Sequence, residues 1–174
     1  LFGLADPRSY GSGNPGATNV LRSGNKKAAL VTLIGDALKG WAAVFVAQKM
    51  GFSDNVIGLV ALAVFFGHLF PVFLKFKGGK GVATAAGVLL ALDPLLGLAV
   101  LGTWLFVALA FRYSSLAAVL AAGLAPVYQV LMHGGNGQTL VVGVLALALI
   151  GKHWQNLQRL LGGQEAKIGS KKKG

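Results

Sequence analysis

The sequence predicts an all-α membrane protein, a bundle of six transmembrane helices built as one domain over residues 1–174. Three observations predict this fold class. Hydrophobic residues make up 55% of the chain and charged residues only 12%, against roughly 45–50% and 25% in an average soluble domain. Long apolar runs fill most of the chain, and almost all basic residues lie between them. No Pro- or Ser-rich linker marks a second domain.

Six apolar runs follow one another, and a helix needs about 20 residues to cross a hydrocarbon core of about 30 Å. A break between the third and fourth runs is expected at Asp93 and Pro94. The residue before a proline avoids the helical region, aspartate suits the N-cap, and proline suits the first helical position. We therefore expect two short helices joined as a hairpin there. The six runs cover residues 28–49, 55–75, 81–92, 94–111, 114–132 and 139–157.

Basic residues test the number of crossings, because cytoplasmic ends of membrane helices accumulate lysine and arginine. Six crossings place fourteen of the sixteen basic residues on one side, whereas a single crossing over residues 81–112 divides the same fourteen into two groups of seven. Six crossings are therefore favoured, with the polar motifs facing the cytoplasm. The net charge of +11 then indicates orientation and attraction to anionic lipid rather than nucleic acid binding.

The first polar motif is "GSGNPGATNVLR", residues 11–22. Its glycines permit close backbone approach, and its Asn-Pro-Gly sequence predicts a turn. Neutral donors and a terminal arginine suit a carboxylate or phosphate, so we interpret the motif as an anion-binding loop. The alternative is an ordinary polar turn before a membrane helix. The candidate substrate-binding residues are Gly11, Gly13, Asn14, Gly16, Thr18, Asn19 and Arg22, and Ser12 is a candidate catalytic residue.

The second motif is "GHLFPVFLKFKGGKGVAT", residues 67–84. Three glycines surround Lys80 where a new helix begins, and freed backbone N–H groups beside a lysine suit a phosphate. The order of a Walker A loop is not met, which disfavours nucleotide binding. The alternative is a flexible, positively charged turn. The candidate substrate-binding residues are Lys77, Gly78 and Gly79, and Lys80 is a candidate catalytic residue.

The third motif is "KHWQNLQRLLGGQE", residues 152–165. His153 and Asn156 are three residues apart and share one helix face, so both are candidate catalytic residues. The alternative for His153 is a structural role at the membrane boundary.

Two ionisable residues, Asp36 and Lys39, lie within a predicted membrane helix in the segment "GDALKG". Charges at such depth normally pair or face a cavity, and the spacing of these two permits a mutual ion pair. The alternative is a role near the polar motifs. His68, shortly before Pro71, is expected to cap or brace a helix.

The sequence contains no cysteine, no G-x-S-x-G elbow and no H-E-x-x-H zinc motif. The H-x-x-x-x-D pattern of many acyltransferases is also absent after all three histidines. We therefore expect no metal and no cofactor. Phosphate-binding groups beside lipid suit a reaction whose donor is already activated, with catalysis by positioning and oxyanion stabilisation. The alternative is a transporter or channel for a small organic phosphate, although the helices offer few polar residues across the bilayer.

The three motifs, with "GDALKG" and "YSSLAA" at residues 113–118, resemble the signature regions of the bacterial acyl-phosphate:glycerol-3-phosphate acyltransferases, the PlsY family. The resemblance implies a seven-helix enzyme of the bacterial inner membrane. Such an enzyme transfers a fatty acyl group from acyl phosphate to the 1-position of glycerol 3-phosphate, giving lysophosphatidic acid and phosphate in phospholipid synthesis. The family carries an apolar helix before the first motif, so the six helices here would be the second to seventh.

The resemblance also implies roles for individual residues. The first motif would hold acyl phosphate, and a soluble enzyme that produces acyl phosphate is a candidate partner. Glu165 matches an acidic position of the third motif and is counted with the substrate-binding residues. The acyl-phosphate loop would comprise Ser12, Gly13, Asn14, Gly16, Thr18 and Asn19, and the positions that bind glycerol 3-phosphate and align its hydroxyl would be Arg22, Lys80, Ser115, His153 and Asn156.

Overall fold

Residues 2–169 are described by the computed structural model, and their regular structure consists of eight α-helices and two short 3-10 helices. The predicted all-α class is confirmed. The 3-10 helices are Pro7–Ser9 and Val72–Leu74. The α-helices are α1 (Ala17–Leu21), α2 (Lys26–Lys49), α3 (Asp54–Leu69), α4 (Val82–Leu92), α5 (Pro94–Phe111), α6 (Ser114–His133), α7 (Gly137–Lys152) and α8 (Trp154–Leu161).

Backbone contacts divide the chain into two compact units, Leu1–Gly97 and Leu98–Gly174. The first unit contains α1 to α4, the second contains α6 to α8, and the division falls within α5. The single domain inferred from sequence stays a prediction.

Within residues 2–169, four helical segments are long and apolar enough to cross a membrane, and a fifth is added if α7 and α8 form one bent span. The prediction of a membrane protein with several spanning helices is therefore confirmed. Helix α4 has only 11 residues, about 16 Å, which is shorter than a hydrocarbon core of about 30 Å. The number of six crossings therefore stays a prediction. The four long segments are Lys26–Lys49, Asp54–Leu74, Pro94–Phe111 and Ser114–His133.

The predicted break between α4 and α5 is confirmed. Asp93 has an extended backbone after α4, and Pro94 is the first residue of α5. The Asp93 Oδ1 atom accepts hydrogen bonds from the backbone N–H groups of Leu95 (2.7 Å) and Leu96 (3.0 Å). These donors begin a helix and have no partner inside it. One aspartate therefore begins α5 where α4 ends.

The last predicted run, residues 139–157, is not one continuous helix, and that prediction is wrong. Helix α7 ends at Lys152, α8 begins at Trp154, and their axes differ by 58°. The reason lies in composition, because α7 is almost entirely apolar whereas α8 places glutamines, an asparagine and an arginine beside its leucines. An amphipathic helix of this kind suits an interface rather than the interior of a bilayer.

Close packing of α2 on α4 organises the first unit. A Cβ atom added to Gly87 would overlap the carbonyl oxygen of Ala37, and one added to Gly40 would overlap that of Thr84. Small residues permit this approach of two backbones, as is common between membrane helices. The side-chain amide of Gln48 also donates to a backbone carbonyl of α4 over 2.9 Å. Helix α2 therefore fixes the position of α4.

The second unit fixes its C-terminal segment, residues 162–169, against the turn between α5 and α6. The backbone N–H of Ile168 donates to the Arg112 carbonyl (2.6 Å), and Arg112 Nη2 donates back to the Ile168 carbonyl (3.0 Å). Ile168 also packs against a buried cluster of Val107, Ala108 and Ala117. The segment that carries Glu165 is thus held at Ile168 by the turn itself and by residues of both α5 and α6.

Candidate active site

The first motif is organised around the buried side chain of Asn19. Its Oδ1 accepts from the backbone N–H of Ser12 (2.8 Å), and its Nδ2 donates to the carbonyls of Pro7 (2.6 Å) and Tyr10 (3.2 Å). One amide therefore uses both hydrogens and its oxygen to hold residues 7–12 over α1. Asn19 binds the backbone of Ser12 and not its side chain, so the Ser12 hydroxyl is not part of these hydrogen bonds, which we call the Asn19 scaffold.

Gly11 and Arg22 lie beside the same amide. Gly11 has a left-handed φ of +61°, and a Cβ there would overlap Asn19 Oδ1 and come within 3.3 Å of Arg22 Cδ. The left-handed φ and the overlap with Asn19 both exclude a side chain at position 11. The short distance to Cδ shows that the aliphatic part of Arg22 lies next to the loop. The predicted loop is thus a folded unit, with its closing arginine exposed.

The other predicted residues of this motif lie around the loop without sharing in the Asn19 scaffold. Gly13 has a φ of +66°, and Gly16 is the N-cap of α1. Asn14 is half-buried with its side-chain amide beside Gly16, and Thr18 is exposed. The contacts of these residues with substrate stay predictions.

The second motif forms a loop between the 3-10 helix Val72–Leu74 and α4. Gly81 has a left-handed φ of +84°, and its missing side chain leaves room for the ring of Phe65. A Cβ at Gly78 would overlap a carbonyl oxygen in the last turn of α3. Lys80, which lies between Gly78 and Gly81 in sequence, is half-buried, and Lys77 is exposed. The glycines are therefore required by packing against α3.

The ion pair predicted within α2 is confirmed, with Lys39 Nζ 2.5 Å from Asp36 Oδ1. The structure adds a third member that the sequence did not assign to it. His68 of α3 places its Nδ1 2.6 Å from Lys39 Nζ and 3.5 Å from Asp36 Oδ1. The prediction that His68 braces a helix is therefore confirmed, and its partner is the ion pair of the neighbouring helix.

The third motif gathers three donors around one carboxylate, Glu165. Its Oε1 accepts from Ser115 Oγ (2.7 Å) and Asn156 Nδ2 (2.6 Å), and its Oε2 accepts from Arg159 Nε (2.7 Å). Only 6% of the Glu165 side chain is exposed. The structure thus brings together three predicted site residues from α6, α8 and the C-terminal segment.

The environment of Glu165 acts on its pKa in two directions. Burial raises the pKa, whereas the hydrogen bonds from Arg159, Asn156 and Ser115 lower it, and the net result is a pKa below the usual value for glutamate. Three donors that favour the charged form outweigh desolvation here. Glu165 is therefore an ionised acceptor at neutral pH.

His153 lies buried at the junction of α7 and α8. Its Nδ1 is 2.8 Å from the backbone carbonyl of Leu149. Since a carbonyl only accepts, Nδ1 carries a proton and donates, which makes Nε2 the acceptor atom of the neutral ring. The junction thus fixes both the position and the tautomer of His153.

Sequence reasoning left Arg159 out of the candidate site, although it lies on the same helix as Asn156 and contacts the same carboxylate. The signal available was its spacing of three residues from Asn156 on an amphipathic helix. Contact with Glu165 depends on the turn after α8, where the backbone N–H of Glu165 donates to the Arg159 carbonyl (3.1 Å). The two glycines that follow α8 indicate where the helix ends, but they do not indicate that Glu165 folds back onto Arg159.

Apolar helices long enough to span a bilayer, and polar motifs at their ends with groups suited to anions, define an integral membrane protein that handles an anionic ligand. A family model described as glycerol-3-phosphate acyltransferase matches residues 1–163. The chain belongs to this family, and its activity is that of a membrane-embedded glycerol-3-phosphate acyltransferase of phospholipid synthesis.

Similar proteins support this membership along nearly the whole chain. A glycerol-3-phosphate acyltransferase of Dechloromonas aromatica is 86% identical over 173 residues, covering 99% of this chain and 87% of the relative. One of Cupriavidus taiwanensis is 61% identical over 177 residues, covering 99% and 88%. The transporter alternative is thereby set aside.

Two crystal structures of PlsY (YgiH), described as an integral membrane glycerol 3-phosphate acyltransferase, have the same fold. The glycerol 3-phosphate form has a TM-score of 0.89 at 38% identity and covers 95% of this chain and 83% of its own. The lysophosphatidic acid form has a TM-score of 0.85 at 38% identity and covers 91% and 81%. The resemblance of the three motifs to the PlsY family is confirmed.

Proposed function

We propose that the acyl donor is acyl phosphate and that the acceptor is the 1-hydroxyl of glycerol 3-phosphate. The hydroxyl oxygen attacks the acyl carbonyl carbon, the bond from that carbon to the phosphate oxygen breaks, and the hydroxyl proton leaves with inorganic phosphate. Lysophosphatidic acid is the second product. Acyl phosphate is already activated, so positioning and charge stabilisation supply most of the catalysis.

The arrangement of Glu165 carries this proposal. Both of its oxygens accept hydrogen bonds, and its pKa is lowered, so it is a weak base. Asp6, which lies five residues before the first motif, accepts hydrogen bonds from Arg8, and these lower its pKa to about 2. A reaction without a strong carboxylate base suits a donor whose own phosphate oxygen takes the proton.

In the first unit, the proposed roles divide between two loops. The loop of the first motif holds the phosphate of the acyl donor, with Ser12 contacting it and Arg22 contributing charge. Asn19 acts through the loop, because its amide is engaged with residues 7–12. The loop with Gly78, Gly79 and Lys80 binds the phosphate of glycerol 3-phosphate through backbone N–H groups and the ammonium.

In the second unit, Ser115 and Asn156 are held in place by hydrogen bonds to Glu165, and both contact glycerol 3-phosphate. His153 aligns the acceptor hydroxyl, since its Nε2 is the atom able to accept a hydrogen bond from it. Arg159 contributes positive charge on the same helix as Asn156.

We further propose that this chain crosses the bacterial inner membrane six times, with α4 as a short crossing and α7 with α8 as a bent one. All three motifs then face the cytoplasm, where a soluble enzyme that makes acyl phosphate reaches them. The distribution of lysine and arginine supports this orientation.

The absence of cysteine from the sequence makes the topology testable with single-cysteine variants and a membrane-impermeant maleimide. In intact spheroplasts, Leu95→Cys and Gly135→Cys are expected to label, whereas Ser23→Cys labels only after permeabilisation. Protection of all three variants before permeabilisation, with Leu95→Cys and Gly135→Cys labelled only together with Ser23→Cys, would contradict a crossing by α4.

The reaction is tested by incubating purified protein in detergent with palmitoyl phosphate and glycerol 3-phosphate, with palmitoyl-CoA as the comparison donor. Lysophosphatidic acid is expected from palmitoyl phosphate and not from palmitoyl-CoA. Product from palmitoyl-CoA alone would overturn the proposed donor while leaving the acyltransferase activity intact.

A further inference from the structure

A chain of polar contacts links α2 and α3 next to the glycine loop of the second motif. Lys39 Nζ lies 2.5 Å from Asp36 Oδ1 and 2.6 Å from His68 Nδ1. Side-chain exposure is 18% for Asp36 and 10% for His68, whereas that of Lys39 is 42%. We call these three residues the Asp36–Lys39–His68 cluster.

The imidazole of His68 has two different neighbours. On one edge Nδ1 faces the Lys39 ammonium, which only donates, so Nδ1 accepts and the ring proton resides on Nε2. On the other edge lies Gly79, where a Cβ atom would overlap Nε2 and come within 2.8 Å of Cε1. The ring therefore lies between the ion pair and the backbone of the loop that carries Lys80.

The neighbouring glycine is confined by the same helix. A Cβ at Gly78 would overlap the backbone carbonyl oxygen of His68 and lie 2.8 Å from that of Leu69. His68 thus limits the loop twice, through its backbone at Gly78 and through its ring at Gly79. A change in the rotamer of His68 would move the surface on which Gly79 rests.

We propose that the Asp36–Lys39–His68 cluster positions the loop of residues 77–80, setting the geometry in which that loop binds the phosphate of glycerol 3-phosphate. Asp36 holds Lys39, Lys39 holds the tautomer and rotamer of His68, and His68 holds Gly79. All three are positioning residues that act through the loop. The proposal rests on the assignment of this loop to the phosphate of glycerol 3-phosphate.

The location of the cluster supports a functional role over a merely stabilising one. Charged groups within membrane helices are costly, and an isolated charge between α2 and α3 would destabilise the protein. Helix α2 is already fixed against α4, the helix that follows the loop, by close packing at Gly40 and Gly87. The cluster adds a defined orientation for one imidazole, directly against the loop.

The first test is steady-state kinetics of Lys39→Met in detergent. We expect the KM for glycerol 3-phosphate to rise about tenfold, with kcat and the KM for acyl phosphate within about twofold of wild type. Lys39→Arg keeps a donor for His68 and should recover part of the loss. The matched control is Lys49→Met, which removes a lysine of the same helix that contacts Phe45.

The second test measures the His68–Gly79 contact without reference to substrate. Gly79→Ala is expected to lower the Tm in detergent, and the loss should be at least halved in the His68→Ala background, where the overlapping ring is gone. Equal losses of Tm in both backgrounds would overturn the contact on which the proposal depends.

Lys80→Met separates failure of the positioning role from failure of the loop assignment. A raised KM for glycerol 3-phosphate in Lys80→Met with an unchanged KM in Lys39→Met overturns the positioning role alone. An unchanged KM in both variants overturns the assignment of the loop to glycerol 3-phosphate, and the positioning role with it.

Discussion

The side-chain amide of Asn156 donates to Glu165 Oε1 over 2.6 Å, so a residue of α8 is held by a carboxylate that follows the helix by only four residues. The same oxygen accepts from Ser115 at the start of α6. Glu165 therefore joins the two helices of the second unit that carry predicted substrate-binding groups. The proposed roles of Asn156 and Ser115 depend on this acceptor.

Replacement of the carboxylate tests that dependence. Glu165→Gln puts an NH₂ group where one of the donors now binds, so at least one buried donor loses its partner. We expect destabilisation of about 2 kcal/mol and a clear loss of turnover, measured by thermal unfolding in detergent and by lysophosphatidic acid formation. The control is Gln164→Ala, an exposed neighbour in the same turn. Wild-type stability and turnover in Glu165→Gln would contradict the role of the three hydrogen bonds to Glu165.

The lowered pKa of Glu165 predicts a pH dependence of stability. A carboxyl whose pKa is lower in the folded state stabilises the protein fully above the pKa of the unfolded chain, about 4.3. That contribution is lost as the pH falls through the lower pKa of the folded state. Unfolding measured between pH 6 and pH 3 is therefore expected to show a steeper loss of stability in wild type than in Glu165→Gln. If stability fell equally with pH in the two proteins, the lowered pKa of Glu165 would be contradicted.

His153 is predicted to act on the acceptor hydroxyl through Nε2. His153→Ala is expected to lower kcat by about 100-fold, because the acceptor of the hydroxyl hydrogen bond is lost. His153→Asn can still donate to the Leu149 carbonyl, so it separates the structural bond from the catalytic one: normal folding with low kcat is the expected result. His133→Asn, at the end of α6, serves as the matched control. Near-normal turnover of a folded His153→Ala protein would remove His153 from the mechanism.

Ser12 is predicted to contact the donor phosphate through its hydroxyl, which the Asn19 scaffold does not use. Ser12→Ala is expected to raise the KM for acyl phosphate or lower kcat by about tenfold or more, with an unchanged Tm, because the backbone bond to Asn19 is retained. Ser53→Ala is the control, since Ser53 precedes α3 without a side-chain capping bond. Full activity of Ser12→Ala would remove its hydroxyl from the donor site.

Asn19 is predicted to matter for the shape of the loop rather than for direct contact. Asn19→Ala leaves the Ser12 N–H and two carbonyls without their partner, which is expected to cost about 1–3 kcal/mol. Faster amide hydrogen exchange in residues 7–13 of the variant would report the loosened loop. Unchanged exchange with reduced activity would instead indicate a direct contact with substrate.

The sequence predicts those parts of this structure that depend on local chemistry. The break at Asp93 follows from capping and from proline, and the ion pair of Asp36 with Lys39 follows from spacing along one helix. The four long membrane segments follow from apolar length. The bend at His153 is not among the predictions, although the composition changes there from the apolar α7 to the amphipathic α8. The break at Asp93 and the ion pair are each set within one or two helical turns.

Contacts between distant segments were harder to predict. The sequence presents Asn19 as one donor among several, whereas in the structure its buried amide is fully engaged in holding the loop. His68 joins the ion pair of α2 across 29 positions of sequence, and Glu165 reaches Ser115 across 50. Such pairings depend on how helices pack, which single-residue patterns do not encode.

The most direct test of the proposed reaction uses palmitoyl phosphate with ¹⁸O in the oxygen that bridges the carbonyl carbon and phosphorus. Attack on the carbonyl carbon by the 1-hydroxyl of glycerol 3-phosphate sends this oxygen into inorganic phosphate, so mass spectrometry should find labelled phosphate and unlabelled 1-acyl lysophosphatidic acid in equal amounts. Label retained in the acyl ester, or no lysophosphatidic acid from this donor, would contradict direct acyl transfer from acyl phosphate.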